Sequence, residues 1–274
     1  MKKKQADSAF HPKRSLGQNF LTDDQLFERL VELSGVGEND AVLEIGAGAG
    51  GMTRALSQRC RQVVSVEVDG TLIPILRVAL EKCSNVRLVH GDVLRLNLPQ
   101  ITADLGPFHV VANIPYYLTT ELMTLLLTSS MPIRSISVMV QKEAAQRMVA
   151  KEGMEGYGML SVRCRYFYDP QIVLDVPACL FTPPPKVDSA FVVMPRREGP
   201  PVEAKDEQLF FKVAAAAFAM RRKTMENNLI ASFRTDRETA AGWLNACGIP
   251  QGARGETLSL RDFANLANVI GEKK

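Results

Sequence analysis

Residues 41–51, Ala-Val-Leu-Glu-Ile-Gly-Ala-Gly-Ala-Gly-Gly, constrain the fold of this chain more than any other stretch. A short apolar run ends in glycines, and a helix-compatible segment starting at Met52 begins at once. That is the strand, tight turn and helix of a mononucleotide-binding α/β unit. Glycine is needed where the turn takes backbone angles that a Cβ forbids, and where a ligand must touch the main chain. Roughly 20 residues on, a second apolar run, Val63-Val64-Ser65-Val66, ends in Glu67. A carboxylate at the tip of the second strand suits a ribose, because it accepts from both hydroxyls. No Lys-Ser or Lys-Thr closes the glycine loop, so a phosphate-gripping P-loop is excluded. Alone, the loop predicts an adenosine-containing cofactor.

Strands and helices alternate through the following hundred residues, which predicts a mostly parallel sheet covered on both faces. Apolar strand runs are expected at 86–90, 108–112 and 136–140, and helices at 51–61, 71–82 and 119–128. Ahead of them, a polar loop holding Gln18 and Asn19 precedes a helix that Thr22 or Asp23 can cap. Amide side chains there can lie against a cofactor. Asp92 falls just past a strand's carboxyl end, where open α/β sheets bind their ligands; it can accept from an adenine amino group or, equally by position, cap a helix or turn.

The tetrapeptide Asn113-Ile114-Pro115-Tyr116, directly after the fourth strand, is the most specific feature of the chain. An exocyclic amine on adenine is a poor nucleophile, because its lone pair spreads into the ring. Two acceptors against its two hydrogens, the Asn113 side-chain oxygen and the Ile114 carbonyl, favour the pyramidal, attacking amine. Pro115 fixes the backbone so that the carbonyl points inward, and Tyr116 offers a π-face to the base. Acceleration then comes from positioning and preorganised dipoles, with no covalent enzyme intermediate. Further on, Phe181 precedes Thr182-Pro183-Pro184-Pro185, and the stiff prolines can hold its ring as a platform opposite Tyr116. By its residues alone, Phe181 reads first as a core residue at a loop base. The glycine-rich segment 152–158 is expected to be a mobile loop.

Length and composition fit this plan. At 274 residues with 46% hydrophobic side chains, the chain can hold one large α/β domain and a smaller one. Domains are expected at 15–197 (Rossmann-like) and 202–274 (all-α), with a basic tail at 1–14 and a proline-rich linker between 197 and 202. No run of about 18 apolar residues predicts a membrane span, and no apolar stretch behind Lys2-Lys3-Lys4 predicts secretion. Five scattered cysteines read as reduced thiols, and three histidines apart from them predict no metal site. A cytoplasmic location is expected. The net charge of +3 permits nucleic-acid binding, with Lys13, Arg14 and the knot Arg221-Arg222-Lys223 as candidate RNA contacts.

With these motifs in place, the chain resembles the KsgA (RsmA) family of ribosomal RNA adenine N6,N6-dimethyltransferases. The resemblance runs from Ser15 to about Phe263. It rests on Ser15-Leu16-Gly17-Gln18-Asn19-Phe20-Leu21, Glu44-Ile45-Gly46-Ala47-Gly48, Glu67, Gly91-Asp92, Asn113-Ile114-Pro115-Tyr116 and the stretch from Phe181 to Ser189. It implies an S-adenosylmethionine-dependent methyltransferase sheet whose last strand is antiparallel, followed by a helical C-terminal domain. Carried over residue by residue, it implies that Gln18, Asn19 and Leu21 close over the cofactor and that Gly46 and Gly48 contact it. Glu67 with Val68 would hold its ribose, and Asp92 with Val93 its adenine. Asn113, also against the cofactor, would grip the target amine, with Ile114 and Pro115 beside it and Tyr116 and Phe181 sandwiching the base. The implied substrate is a pair of adjacent adenosines in the 3′-terminal hairpin loop of small-subunit ribosomal RNA, within an assembling subunit, and the implied enzyme is a monomer. Ala47 and Ala49 stand where many relatives carry proline and a larger apolar residue, and both leave the turn intact.

A sister family that dimethylates large-subunit RNA and confers antibiotic resistance shares the core motifs. It is separated by the proline-rich loop and the helical domain. Cytosine C5 methylation needs a cysteine beside the base, and none lies near Asn113. A nicotinamide dehydrogenase explains the glycines and Glu67 but not the tetrapeptide, and protein-glutamine methylation gives no reason for the basic N-terminal loop. A non-catalytic assembly factor would not need Asn113 and Tyr116.

Overall fold

The computed structural model describes residues 18–272. Its first element is a two-residue strand, β1 (Phe20–Leu21), followed by helix α1 (Asp24–Leu33). Asp23 caps that helix, its carboxylate accepting from the N–H groups of Gln25 and Leu26. The alternating region then runs β2 (Ala41–Ile45), α2 (Gly51–Arg59), β3 (Gln62–Glu67), α3 (Ile73–Ala79) and β4 (Val86–His90). It continues through α4 (Leu98–Ile101), β5 (Phe108–Asn113), α5 (Thr119–Leu127), β6 (Ile133–Gln141) and α6 (Lys142–Val149). After α7 (Met159–Phe167) come β7 (Gln171–Val176), β8 (Phe181–Thr182) and β9 (Ser189–Pro195). Four helices close the chain: α8 (Glu207–Ala219), α9 (Met225–Phe233), α10 (Arg237–Ala246) and α11 (Leu260–Glu272).

Seven strands form one sheet in the order β4-β3-β2-β5-β6-β9-β7, mostly parallel with one antiparallel strand, as expected from the sequence. All of β2 and nearly all of β3 and β5 are buried, because a parallel sheet is covered on both faces. The register brings the functional ends level. Ile45 lies opposite Val66 and Ala112, Glu67 opposite His90, and Asn113 opposite Met139. Strand order reverses between β2 and β5, so the carboxyl ends of β2 to β5 frame the crevice where such sheets bind ligands.

Chain contacts define two units, one running to Ala145 with Ile172–Val193 added, the other made of Gln146–Gln171 and Met194 onward. Composition alone drew the boundary near 197–202, whereas the structure groups the segment after 146 with the C-terminal helices. The reason is apolar packing within the second unit. Tyr166 on α7 lies 4.7 Å, ring centre to ring centre, from Phe210 and 4.9 Å from Phe211. The glycine-rich segment 152–158, expected to be mobile, is tied down in the same unit. Gly153 N–H donates to Glu256 O at 2.8 Å, and the buried Tyr157 hydroxyl donates to Leu258 O at 3.1 Å. Among the described residues, no helix is long and apolar enough to cross a membrane.

Glu44 is a buried carboxyl in the middle of the sheet. One of its oxygens accepts from Thr53 Oγ1 at 2.6 Å and Ser65 Oγ at 2.5 Å, and the other has no partner among the described residues. Burial pushes its pKa up to about 7. The folded state therefore binds a proton that the unfolded chain releases at ordinary carboxyl pH. Its stabilising effect is complete below the unfolded value of 4.5 and is lost as pH rises through about 7. Across that window the wild type is expected to lose about 3 kcal/mol of stability through this group. Glu44→Gln keeps the acceptor for Thr53 and Ser65 and is expected to flatten the slope by that amount, as checked by urea unfolding at several pH values.

Candidate active site

A cavity of ≈ 300 Å³ opens at the carboxyl ends of β2, β3, β4 and β5. It is lined by Gln18, Asn19, Gly46, Gly48, Glu67, Val68, Asp92, Val93, Asn113, Ile114, Pro115, Tyr116 and Phe181, together with residues the sequence reading passed over. Thirteen positions from six separate stretches, singled out by sequence, thus meet around one space.

The glycine loop is shaped by backbone geometry. Gly46 N–H and Ala47 N–H both donate to Val66 O, at 2.8 and 3.3 Å, which folds the chain back over β3. Gly46 has φ +86°, and a Cβ there would stand 3.3 Å from the Asn113 carbonyl oxygen. The bare glycine therefore lets the β2 and β5 ends approach and leaves room for a ligand. Gly46→Ala is expected to cost about 1–2 kcal/mol of stability through left-handed strain. It should also weaken cofactor binding about tenfold as the two strand ends part; urea unfolding and calorimetric titration check both.

Glu67 organises the β3 end of the cavity. Its carboxylate accepts from Gly48 N–H at 2.9 Å and from Asp69 N–H at 2.8 Å, clamping the glycine loop to the β3 end. Burial raises its pKa, and the two N–H groups pull back against that rise. Each oxygen keeps a second acceptor site for a hydroxyl. Gln18 Nε2 donates to Asp69 Oδ2 at 3.0 Å, which draws the N-terminal loop onto the same corner. Asp92 accepts from Leu94 N–H at 3.0 Å and faces the cavity one strand further along.

At the β5 end, Ile114 N–H donates to Met139 O at 3.1 Å and so continues the pairing of β5 with β6 one residue past the strand. Pro115, at φ −55° and ψ 133°, turns the chain into a single 3-10 turn, Tyr116–Leu118. Tyr116 is held by a 2.8 Å hydrogen bond between its hydroxyl and the buried Ser189 Oγ on β9. Burial, with Asp188 nearby, raises the pKa of that phenol, so it stays a neutral hydroxyl. Phe181 is only 3% exposed, packed in an apolar cluster with Leu21, Leu30 and Val176 while still lining the cavity. It is therefore both the core residue and the wall that the sequence left as alternatives.

The N-terminal loop and the Phe181 loop are joined. β1 pairs antiparallel with β8, Phe20 opposite Thr182 and Leu21 opposite Phe181. Side chains alternate along the ribbon. Phe20 turns to the glycine loop, its ring 3.4 Å from where a Gly48 Cβ would be, and lines the cavity. The Leu21 side chain turns the other way, into the apolar cluster. Two-residue strands carry no periodicity, so the sequence gives no sign of this ribbon. Ile45, Val66, Gly91, Leu94, Tyr117 and Leu118 also line the cavity, each within two positions of a residue already singled out. Arg221, Arg222 and Lys223 are exposed on the turn after α8, in the second unit. Lys13 and Arg14 lie outside the described residues. Among the described residues, no group of three or more His, Cys, Asp or Glu is placed to hold a metal.

A sheet of this order, with a glycine loop on β2, an acid ending β3 and an Asn-Ile-Pro-Tyr stretch ending β5, defines an S-adenosylmethionine-dependent methyltransferase. The model of the ribosomal RNA adenine dimethylase family matches residues 9–272. A ribosomal RNA small subunit methyltransferase A from Geobacillus thermodenitrificans (strain NG80-2) is 41% identical over 268 residues, 95% of this chain and 92% of its relative. The chain belongs to the ribosomal RNA adenine dimethylase family. Among solved structures, the 23S rRNA methyltransferase ErmE aligns with a TM-score of 0.72 at 27% identity, over 92% of this chain and 100% of that one. A dimethyladenosine transferase from Plasmodium falciparum gives a TM-score of 0.78 at 22% identity, over 92% and 98%, a likeness of fold.

Proposed function

We propose that this chain dimethylates N6 of two adjacent adenosines in the 3′-terminal hairpin loop of small-subunit ribosomal RNA. The substrate is an assembling subunit in the cytoplasm, and the enzyme works as a monomer. The observation that carries the reading is that Asn113, Ile114 and Tyr116 share one cavity with Glu67 and Asp92, so that an amine-gripping end and a nucleoside-binding end face each other. The residues fit the cofactor: a buried carboxylate with acceptor capacity left at the β3 tip, a glycine whose Cβ would crowd the cradle, and a space within the usual range for small ligands.

S-adenosylmethionine, when bound, supplies an electrophilic methyl on a sulfonium centre. Glu67 and Val68 hold its ribose side, Asp92 and Val93 its adenine, and Gly46, Gly48, Gln18 and Asn19 its remaining length. The Asn113 side-chain oxygen and the Ile114 carbonyl accept the two N6 hydrogens of the target. This draws the lone pair out of the ring and aims it at the methyl. Tyr116, locked by Ser189, and Phe181, locked in the core, bracket the base. An unpaired loop adenosine meets these demands, because its base can be splayed out and stacked. Lys13, Arg14, Arg221, Arg222 and Lys223 are assigned to RNA phosphates, which makes affinity salt-dependent. Small-subunit over large-subunit RNA is favoured by the higher identity to the small-subunit enzyme, 41% against 27% for ErmE.

The test supplies methyl-labelled cofactor and purified protein to small subunits lacking this methylation, with large-subunit RNA in parallel. Label in the 3′-terminal hairpin of the small subunit is expected. Label confined to large-subunit RNA contradicts the substrate assignment.

A further inference from the structure

Three large apolar side chains on the cavity wall are open to solvent: Val68 at 45%, Leu94 at 40% and Tyr117 at 57%. Val68 and Leu94 flank the two acids assigned to the cofactor, whose adenosine gives them a surface to cover. Tyr117 has no such account. It stands in the 3-10 turn after β5, immediately after Tyr116, and the tetrapeptide chemistry makes no use of it.

The turn that carries Tyr117 is well held. Leu118 N–H donates to Pro115 O at 2.9 Å, and Thr119 Oγ1 donates to Tyr116 O at 3.1 Å. Helix α5 continues directly from it. Tyr116 is fixed inward by Ser189, so consecutive residues present one aromatic inside the cavity and one at its lip. An exposed aromatic beside a concave site is informative where isolated exposed side chains are not.

We propose that Tyr117 is a stacking platform for the unpaired nucleotide next to the target adenosine. The proposal rests on the reading of this cavity as an RNA adenine site. A target base drawn in against Tyr116 brings its chain neighbours to the lip. Stacking on a ring needs no particular base identity, and a tyrosine loses little side-chain freedom in doing it. Where two adjacent adenosines are both substrates, the same ring holds whichever one is waiting. Tyr117 is thus a positioning residue for RNA and takes no part at the reacting amine.

The experiment compares wild type, Tyr117→Ala and Tyr117→Phe on two substrates. One is small subunits reconstituted with ordinary RNA. The other is subunits whose RNA carries an abasic residue on one side or the other of the target. On ordinary RNA, Tyr117→Ala should raise KM for the subunit about tenfold. It should leave kcat and the S-adenosylhomocysteine dissociation constant near wild type, and Tyr117→Phe should behave as wild type. With the neighbour abasic on the stacking side, wild type and Tyr117→Ala should share one KM. An equal KM penalty on every substrate, or a loss confined to kcat or cofactor affinity, overturns the platform. If the wild type methylates no small-subunit RNA at all, the underlying reading fails, and the platform with it.

Discussion

Asn113→Ala is expected to lower kcat for methyl transfer by on the order of 10²–10³, the usual effect of removing one preorganised polar partner from a reacting group. KM for the ribosomal substrate should stay within a few-fold, because Tyr116 and Phe181 still bracket the base. Cofactor affinity should move by less than about tenfold, since Glu67 and Asp92 are untouched. A fall in kcat with binding preserved is the signature of a contact made chiefly in the transition state. The reason lies in the position of Asn113 at the last step of β5, where pairing to β6 through Ile114 N–H and Met139 O fixes the backbone on one side. The Ile114 carbonyl is already assigned to the other N6 hydrogen, so it does not replace the missing oxygen. Single-turnover rates with pre-bound cofactor check the prediction, and an unchanged rate would remove Asn113 from the chemistry.

Glu67→Ala should produce the opposite pattern. It deletes the ribose acceptor and at the same time strips Gly48 N–H and Asp69 N–H of their partner. Each stranded donor costs about 1–3 kcal/mol when water cannot reach it. A loss of about 2–3 kcal/mol in cofactor binding, a dissociation constant raised about 100-fold, is expected from calorimetric titration with S-adenosylhomocysteine. The glycine loop should also loosen, because the carboxylate is its tie to β3. Glu67→Gln should be an intermediate variant, since its amide keeps one acceptor oxygen but offers a donor where a second N–H already points. A cofactor affinity unaltered in both variants would show that the ribose lies elsewhere.

Much of this site is legible in the chain because its residues sit at the ends of apolar runs. Val63 to Val66 must be a buried strand, so Glu67 must emerge at its tip; the same holds for Asn113 after 108–112. Helix limits were less legible where side chains compete with the backbone. The expected helix at 71–82 is shortened to Ile73–Ala79, because Asp69 accepts from the N–H and hydroxyl of Thr71 and makes a turn there. Contacts between distant segments left no trace. Tyr116 finds Ser189 across 73 positions, and β1 finds β8 with two residues on each side. That ribbon explains why the Gln18–Leu21 and Phe181 stretches belong to one site even though neither has strand periodicity. It also explains the direction of the Leu21 side chain: once Phe20 faces the glycine loop, its neighbour faces the core. Likewise, composition marks the linker near 197 but cannot report that aromatic packing gathers 146–171 into the helical unit.

Methylation of adenine N6 in small-subunit RNA is read out by nucleoside mass analysis. Small subunits lacking the modification are treated with enzyme and cofactor, and the 3′-terminal hairpin is then excised and digested. Two residues of N6,N6-dimethyladenosine per hairpin are expected with the wild-type enzyme and almost none with Asn113→Ala. A methyl group on any other atom, or a full yield from Asn113→Ala, would contradict it.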